Sequence, residues 1–306
     1  MQDLEMFSIE KTWFKGNLHT HSNESDGKLA PREVVRIYRE KGYDFCAFTE
    51  HEKFSSWTVF NSEDFLVIPG IEIESDDSGS GPFRVHHIVG VARDFQDDLH
   101  LKEYDNRSLK GLKGAQDIVS DLKERGFITI YCHPVWSRQT FADIADLRDF
   151  NAIEVYNHTC SLESNTGGSS AYYWDTFLRQ GHKIWGVATD DAHQFVEDYG
   201  GGWVVVNASE LSPSSIGAAL VKGHFYASNG PIIEAYGLRG NQVYVRCSSA
   251  RSIHFVAFER RGRSFHQEGE QGLREAAYTV HGDEKYVRIE VIDKEGKTAW
   301  SNPIFF

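Results

Sequence analysis

Cysteine is scarce in this sequence, and its cysteines are not paired in spacing. The 306 residues contain four cysteines, namely Cys46, Cys132, Cys160 and Cys247. Their scatter excludes a disulfide framework and a Cys-x-x-Cys metal motif. Cys46 and Cys132 lie inside apolar runs, where a reduced thiol in the core is the ordinary role. We therefore expect a cytoplasmic protein.

Long apolar runs and targeting features are also missing. The sequence has no run of about 18 apolar residues, which argues against a membrane-spanning helix. Residues 1–5 show neither the basic nor the apolar region of a secretory signal. We expect no membrane partner, and the sequence does not indicate the oligomeric state.

Basic residues are outnumbered by acidic ones. There are 32 lysines and arginines against 45 aspartates and glutamates, which gives a formal net charge of −13. A surface that binds long nucleic acids needs a basic face, so this class of partner is disfavoured. A small substrate that carries phosphate is still compatible with the charge. The hydrophobic fraction of 40% is sufficient for a globular core.

Three segments repeat one order: a helix, a glycine, an apolar strand, and then side chains that bind metals. The first unit has helix 32–41 and strand 45–48, followed by Thr49-Glu50-His51. The second has a helix around Ile118, Val119 and Leu122 and strand 127–131, followed by Cys132-His133-Pro134. The third has a helix around Tyr173, Phe177 and Leu178 and strand 183–188, followed by Asp190, Asp191 and His193. Three further strands are predicted, 65–74 with Glu72, 84–92 with His86 and His87, and 152–156 with Glu154.

Apolar strands that alternate with helices indicate a parallel sheet covered on both faces. In α/β barrels the active site lies at the carboxyl ends of the strands. The pattern therefore predicts a barrel whose polar side chains gather at one mouth. Two polar segments, 75–82 and 159–170, are predicted as loops. Segment 159–170 follows a barrel strand and is expected to form a wall of the site, although either segment could be an ordinary surface loop.

The opening motif adds three more candidates. His19 and His21 share a face if their segment is a strand, because side chains alternate with period two. Asp26 follows in a Ser-Asp-Gly turn that can bring its carboxylate back towards them. Imidazoles and carboxylates are ligands of first-row divalent metals. His19 and His21 alone are weak evidence for a metal site. The similar residues at the ends of the other strands strengthen that prediction.

The pattern of apolar residues changes near residue 230. Alternating runs at 242–246, 253–258 and 286–291 predict antiparallel strands with one buried face. We therefore expect a first domain over residues 1–230 and a small all-β sandwich over 231–306.

These segments resemble the PHP (polymerase and histidinol phosphatase) family. The matching segments are Leu18-His19-Thr20-His21, Ser25-Asp26-Gly27, Phe48-Thr49-Glu50-His51, Pro69-Gly70-Ile71-Glu72, His87-Ile88-Val89-Gly90, Cys132-His133-Pro134 and Asp191-Ala192-His193. The resemblance implies a distorted TIM-like barrel of seven β/α units. The β-domain that follows resembles the tail of a branch that includes carbaryl-hydrolase-like members.

The resemblance also implies two to three divalent metal ions, which would be Zn, Mn or Fe. The first site would comprise His19, His21, Glu72 and Asp191; the second would share Glu72 and add His133 and His87; the third would comprise Asp26, His51 and His193. Two departures are visible. Glu50 stands where the family usually has Asp, and Asp26 replaces a histidine found in some members.

The implied function is that of a metal-dependent hydrolase, specifically a phosphoesterase acting on a nucleotide or a sugar phosphate. A hydroxide that bridges two metals would attack phosphorus. The catalytic candidates are Glu72, Asp191, His193 and His51, and the candidate substrate contacts are Arg84, Arg138, Asn157 and His158.

Several alternatives remain open at this point. The same metals could hydrolyse a carbamate or amide, which a pocket lined by Trp57, Trp136 and Trp174 with few arginines would favour. The chain could also be a metal-stabilised binding module without turnover. Either His86 or His87 could face the site, and Glu74 competes with Glu72 as the bridging carboxylate.

Overall fold

The computed structural model describes residues 2–54, 56–76, 85–94, 103–163, 168–267, 269 and 271–306. The helices are α1 (Pro31–Glu40), α2 (Gly111–Glu124), α3 (Phe141–Ile144), α4 (His158–Glu163), α5 (Ala171–Arg179) and α6 (Pro213–Lys222). The strands of the first 230 residues are β1 (Leu4–Ser8), β2 (Trp13–Asn17), β3 (Phe45–Phe48), β4 (Leu66–Asp76), β5 (Val85–Ala92), β6 (Phe127–Tyr131), β7 (Ala152–Asn157), β8 (Trp185–Thr189), β9 (Trp203–Asn207) and β10 (Phe225–Ser228). Those that follow are β11 (Ile233–Arg239), β12 (Gln242–Ala250), β13 (Ser252–Ala257), β14 (Gly262–His266), β15 (Leu273–Thr279), β16 (Tyr286–Ile292), β17 (Thr298–Ser301) and β18 (Ile304–Phe305).

The predicted helix–glycine–strand units are confirmed at the local level. Helix α1 has Pro31 at its first position, where the missing N–H costs no hydrogen bond, and it buries Val34, Val35 and Tyr38. Gly42 follows with a φ of +72°, a left-handed conformation that glycine adopts without strain. Strand β3 is buried along its whole length.

The central sheet is mixed rather than wholly parallel, which corrects the expectation from the sequence. Its order is β9-β2-β3-β4-β5-β6-β7-β8, and β5 runs antiparallel to both of its neighbours. Residues 77–84 link β4 to β5. A parallel crossover needs a dozen or more residues, so this shorter link imposes the antiparallel arrangement.

The ends of β2 and β8 meet beyond the strands themselves. Thr20 and Ala192 form an isolated parallel bridge. The Asp191 N–H donates to the His19 carbonyl at 2.9 Å, and the His21 N–H donates to the Ala192 carbonyl at 3.0 Å. The two motifs richest in metal-type side chains are therefore joined by backbone hydrogen bonds. A mixed α/β architecture is established, whereas the seven-unit barrel stays a prediction.

The C-terminal region is rich in sheet, as expected. One sheet has the order β1-β11-β12-β15, and the other continues the central sheet through β10 and β17 to β16, β13 and β14. Buried side chains from both sheets, such as Tyr236 and Val245 on one and Phe255 and Ile289 on the other, share one apolar cluster. Because β1 pairs with β11, the first strand of the chain belongs to this region. The boundary near residue 230 stays a prediction.

Helix α5 is fastened to strand β16 by polar contacts. The Tyr286 hydroxyl donates to Asp175 at 2.8 Å. The Arg288 guanidinium lies 3.6 Å from Asp175 and 2.6 Å from Glu290, and it stacks over the Trp174 ring. A buried arginine is tolerated only when such partners compensate its charge. These contacts fix the C-terminal sheet against the α/β part of the chain.

The predicted loops have different outcomes. Segment 159–170 is only partly a loop, because its start belongs to α4. Asn157 caps that helix, since its Oδ1 accepts the Cys160 N–H at 3.0 Å. Residues 164–167 and 77–82 lie outside the described residues. None of the helices in the described part of the chain has the length and hydropathy that a membrane crossing requires.

Glu284 generates a prediction about acid stability. Burial acts to raise its pKa, but hydrogen bonds from the Tyr278 hydroxyl and the His281 and Gly282 N–H groups outweigh burial and lower the pKa to about 2. A lowered pKa stabilises the fold above the unfolded value of 4.5, and that contribution is lost as the pH falls towards 2. Glu284→Gln should therefore reduce the unfolding free energy by about 1–3 kcal/mol at pH 7. Urea unfolding at pH 7 and pH 2.5 checks this, because a difference of equal size at both values contradicts it.

Candidate metal centre

A cavity of about 200 Å³ opens at the mouth of the central sheet. Seven of the predicted metal ligands line it, namely Asp26, His51, Glu72, His87, His133, Asp191 and His193. The structure therefore brings together side chains from β4 and β5 and from the segments after β2, β3, β6 and β8. His19 and His21 are fully buried immediately behind this wall.

The first predicted ligand group is compact and buried. One ligand atom from each of His19, His21, Glu72 and Asp191 lies within 4.8 Å of the others. The Nε2 atom of His19 is 3.1 Å from both Glu72 Oε2 and Asp191 Oδ1, and His21 Nε2 lies 3.2 Å from the same two atoms. Two imidazoles and two carboxylates thus converge on one point.

Glu72 is the centre of the whole site. Its Oε2 faces three histidines, at 3.1 Å from His19, 3.2 Å from His21 and 3.4 Å from His51. Its Oε1 faces the other two, at 2.7 Å from His87 and 3.4 Å from His133. The two oxygens therefore address different ligand groups, which is the geometry that a bridging carboxylate needs.

Two ambiguities of the sequence are resolved by position. His87 lines the cavity, whereas the His86 Nδ1 lies 2.9 Å from the Tyr131 hydroxyl, away from it. Glu74 is 36% exposed and lies 3.3 Å from His87, while Glu72 is only 1% exposed and contacts five imidazoles. Position thus favours His87 and Glu72.

The third ligand group lies at the rim. Ligand atoms of His21, Asp26, His51 and His193 are within 4.8 Å of one another. Asp26 lies 3.4 Å from His193 and 3.7 Å from His51, and its side chain is 52% exposed. A cation here would exchange with solvent more readily than one held by the buried group.

Two candidate ligands have unusual backbone conformations. His133 has a φ of +26° and Asp191 a φ of +55°, both on the left-handed side that residues other than glycine rarely adopt. Such strain is found at functional sites, where the surrounding structure holds it in place. At Asp191 the hydrogen bond to the His19 carbonyl provides that support.

The neighbouring acids have separate structural roles. Asp190 turns away from the cavity and accepts the N–H groups of Gly200, Gly201 and Gly202 at 2.7–2.8 Å. Glu50, at the position where the family usually has Asp, accepts hydrogen bonds from the Ser22 N–H and the Ser25 hydroxyl. It therefore anchors the loop that carries Asp26.

The electrostatics of the site favour a cation. Burial acts to raise the pKa values of Glu72 and Asp191, but the surrounding imidazoles hold both pKa values far below their usual range. Burial acts to lower the pKa values of His21 and His87, but the carboxylates raise them to about 9 and about 10. The ionised form of each carboxylate is thus stabilised mainly by the imidazoles beside it.

The donor set fits divalent metal ions. Among the described residues, the charged partners of Glu72 and Asp191 are imidazoles, and no lysine or arginine pairs with either carboxylate. Neutral imidazoles and carboxylates without a thiolate suit Zn, Mn or Fe. Cys132 lies near His19 and Glu154, but burial raises the pKa of its thiol and keeps it neutral.

The three predicted substrate contacts that the structure describes, Arg138, Asn157 and His158, do not line the cavity wall. Arg138 is exposed, and His158 is 3.0 Å from the Tyr156 hydroxyl. Asn157 is buried, and its amide group is bonded to Glu154, Asp191 and the Cys160 N–H. Arg84 lies outside the described residues. Substrate roles for these four residues stay predictions.

The cavity has further lining residues that the sequence did not single out as ligands or substrate contacts. Thr159, Cys160 and Glu163 belong to the segment 159–170 that was predicted to wall the site, and Phe195 and Trp136 complete the lining. Of the other tryptophans considered, Trp174 is fully buried in the core, and Trp57 packs beside the cluster that contains Tyr38. The strand-end rule could have found Thr159 and Cys160, because they follow β7.

No family model matches the chain. The DNA polymerase/3'-5' exonuclease PolX of Bacillus subtilis (strain 168) is 31% identical over 110 residues, which is 34% of this chain and 19% of that protein. The chain therefore spans far less than two thirds of this relative, and the activities in the relative's name are not transferred.

Two solved structures show similarity to this chain. One is a two-domain protein from Bacteroides vulgatus that contains a predicted PHP-like metal-dependent phosphoesterase, with 17% identity, 96% of each chain covered and a TM-score of 0.49. The other is an amidohydrolase from Chromobacterium violaceum with bound sulfate and no metal, with 17% identity, 60% of this chain and 89% of that chain covered, and a TM-score of 0.41.

At the level of the family, the resemblance to PHP proteins is confirmed. The narrower branch with carbaryl-hydrolase-like members is not confirmed. At these TM-scores, no residue role or substrate follows from the structural similarity.

The burial difference between the ligand groups predicts two classes of metal site. Asp26→Asn should remove a weakly held ion and leave the tightly held ones, because Asp26 touches only the rim group. Glu72→Gln should remove most bound metal, because Glu72 faces every group. Elemental analysis after desalting and a Co²⁺ titration measure both effects.

The matched control for charge is Asp64→Asn, since Asp64 is an exposed acid paired with Arg39 away from the cavity. This control should bind metal like the wild type. Equal metal content in the Glu72 and Asp64 variants would contradict the central place of Glu72.

Proposed function

We propose that this protein is a metal-dependent phosphoesterase that hydrolyses a small phosphate ester, such as a nucleotide or a sugar phosphate. The observation that carries the proposal is the position of Glu72, whose two oxygens face five imidazoles within 3.4 Å. Such a density of nitrogen and oxygen ligands around one buried carboxylate is typical of multinuclear hydrolase sites.

The proposed ligand sets follow the geometric groups. His19, His21, Glu72 and Asp191 would hold one ion, Glu72 with His133 and His87 a second, and Asp26, His51 and His193 a third. When bound, such ions lower the pKa of coordinated water and neutralise the charge of phosphate oxygens. The number of filled sites and the metal are part of the proposal.

A hydrogen bond to the backbone sets which ring nitrogen of His193 is available to an ion. The Nδ1 of His193 lies 2.8 Å from the Asp191 carbonyl, so this nitrogen carries the proton and donates it to the carbonyl oxygen. The Nε2 of His193 is then a free acceptor that faces Asp26 and the cavity. His51 and His193 lie nearest the opening, and either of them, when protonated and not bound to an ion, would be placed to protonate a leaving group.

The cavity favours a compact substrate. None of its lining residues among the described parts of the chain is a lysine or an arginine. A polyphosphate or a nucleic acid would present charges beyond the reach of the ions with no protein cation to meet them. The volume of about 200 Å³ also suits one phosphoryl group and a small remainder.

The distorted barrel of seven β/α units forms part of this proposal. The bridge between Thr20 and Ala192 supports it, because it joins the two ends of the run from β2 to β8. Strand β9 then continues the sheet towards the C-terminal region by pairing with β2 and β10.

A carbamate or amide hydrolase is the second candidate. The lack of basic side chains among the described lining residues favours it, and so does Trp136, whose ring lies 5.1 Å from the His133 ring. Water activated by the same ions can attack a carbonyl carbon as well as phosphorus. The aromatic wall expected for this candidate is reduced, however, because Trp174 belongs to the core.

Hydrolysis of p-nitrophenyl phosphate in the presence of Mn²⁺, Zn²⁺ or Fe²⁺ tests the main proposal. We expect turnover that a chelator abolishes and that His19→Ala reduces at least about 100-fold, because charge stabilisation in the transition state is lost. Asp64→Asn should retain full activity. A metal-loaded protein that cleaves an aryl carbamate or an anilide but no phosphate ester would select the second candidate.

Trp136 should contribute to substrate preference. Trp136→Ala should raise KM about three- to tenfold for phenyl phosphate and leave KM for glycerol phosphate nearly unchanged, because an aromatic contact is lost. Steady-state kinetics with both substrates measure the split. Equal changes for the two esters would show that Trp136 acts only as a packing residue at the rim.

A further inference from the structure

Glu154 has an unusual number of partners for a side chain that does not line the cavity. It is fully buried on β7. Its Oε1 accepts hydrogen bonds from His19 Nδ1 and the Thr189 hydroxyl, both at 2.7 Å. Its Oε2 accepts the His133 N–H and the Asn157 amide, both at 2.9 Å. With two bonds on each oxygen, the carboxylate is committed to these donors.

The first of these bonds fixes the protonation pattern of His19. An ionised carboxylate accepts hydrogen bonds and cannot donate them, so Nδ1 of His19 must carry the proton. Nε2 then presents its lone pair to the point shared with Glu72 and Asp191, each 3.1 Å away. A metal-binding histidine needs this tautomer, and a carboxylate behind it also makes the ring more basic.

The other bonds extend the same control to two more ligands. His133 has a strained φ of +26°, and the hydrogen bond from its N–H to Glu154 holds that conformation. The Asn157 amide that donates to Glu154 also donates to Asp191 Oδ2, at 3.0 Å. One carboxylate therefore braces ligands that follow three different strands, β2, β6 and β8.

We infer that Glu154 is a positioning residue of the metal centre, which sets the tautomer of His19 and braces His133 and Asp191 without binding an ion itself. The inference rests on the metal centre of the proposed function. The contacts on the other oxygen support this role, since the His133 N–H and the Asn157 amide can act only as donors and both face Glu154 Oε2.

Glu154→Gln is the sharpest test of this role. A glutamine that keeps its oxygen towards His19 turns its NH₂ group against the N–H of His133 and the amide of Asn157. In the opposite orientation the NH₂ group faces His19 Nδ1, which must then become the acceptor. The proton moves to Nε2, and the ring can no longer bind a metal through that atom. Either orientation should weaken metal binding.

Calorimetric titration with Co²⁺ and the visible spectrum of bound Co²⁺ measure the effect. If the inference is correct, Glu154→Gln should bind Co²⁺ about 10- to 100-fold more weakly than the wild type, and the visible spectrum of the bound Co²⁺ should change. Asp64→Asn, which changes an exposed acid away from the cavity, should stay close to wild type. Glu284→Gln controls for the loss of a buried carboxylate elsewhere, and thermal unfolding in chelator shows that each variant is folded.

A second measurement covers the case in which Glu154→Gln does not fold. In wild-type protein labelled with ¹⁵N-histidine and loaded with Zn²⁺, NMR should show His19 protonated at Nδ1 and bound through Nε2. Coordination through Nδ1 overturns the inference, and so does a folded Glu154→Gln variant that binds Co²⁺ like the wild type. In both cases the proposed function stands, whereas a wild type that binds neither metal overturns both.

Discussion

The burial of Glu72 beside Asp191 is the constraint on which the rest of the site depends. Two carboxylates that are buried side by side repel each other and lose much of their hydration, which is unfavourable unless cations compensate them. In this chain imidazoles provide the compensation, either as protonated rings or as ligands of metal ions that carry the positive charge. Among the described residues no lysine or arginine offers an alternative partner to Glu72. The site is thus arranged to hold cations that are not part of the chain.

The fold meets this constraint with short segments that follow strands. The β2 and β8 extensions are tied together by the Asp191–His19 and His21–Ala192 backbone bonds, which place three ligands within a few ångströms. Strand β7 contributes Glu154, which is bonded to the His19 ring and to the backbone N–H of His133. Rigid strands and saturated hydrogen bonds keep the ligands in place before any ion arrives, and such preorganisation is what a catalytic metal site requires.

Local features of the chain were readable because they depend on neighbours in sequence. The helix that begins at Pro31, the glycine after it, the buried strand β3 and the polar residues at the strand ends all follow from local spacing. The direction of β5 did not follow from its pattern of buried residues, which is the same in a parallel and an antiparallel sheet. The short link after β4 was the signal in the sequence that could have indicated an antiparallel strand. Helix α4 was missed because its cap, Asn157, stands inside a polar segment that is also typical of loops.

The sequence by itself determined the residue types of the candidate metal centre and the strands near which they lie, since both are contained in short motifs. Only the tertiary structure decided that His87 rather than His86 lines the cavity, that Glu72 divides its oxygens between two groups of histidines, and that Glu154 supports His19. These facts depend on distances between residues that are up to 135 positions apart. No local pattern encodes such distances, because they arise when packing fixes the strands relative to one another.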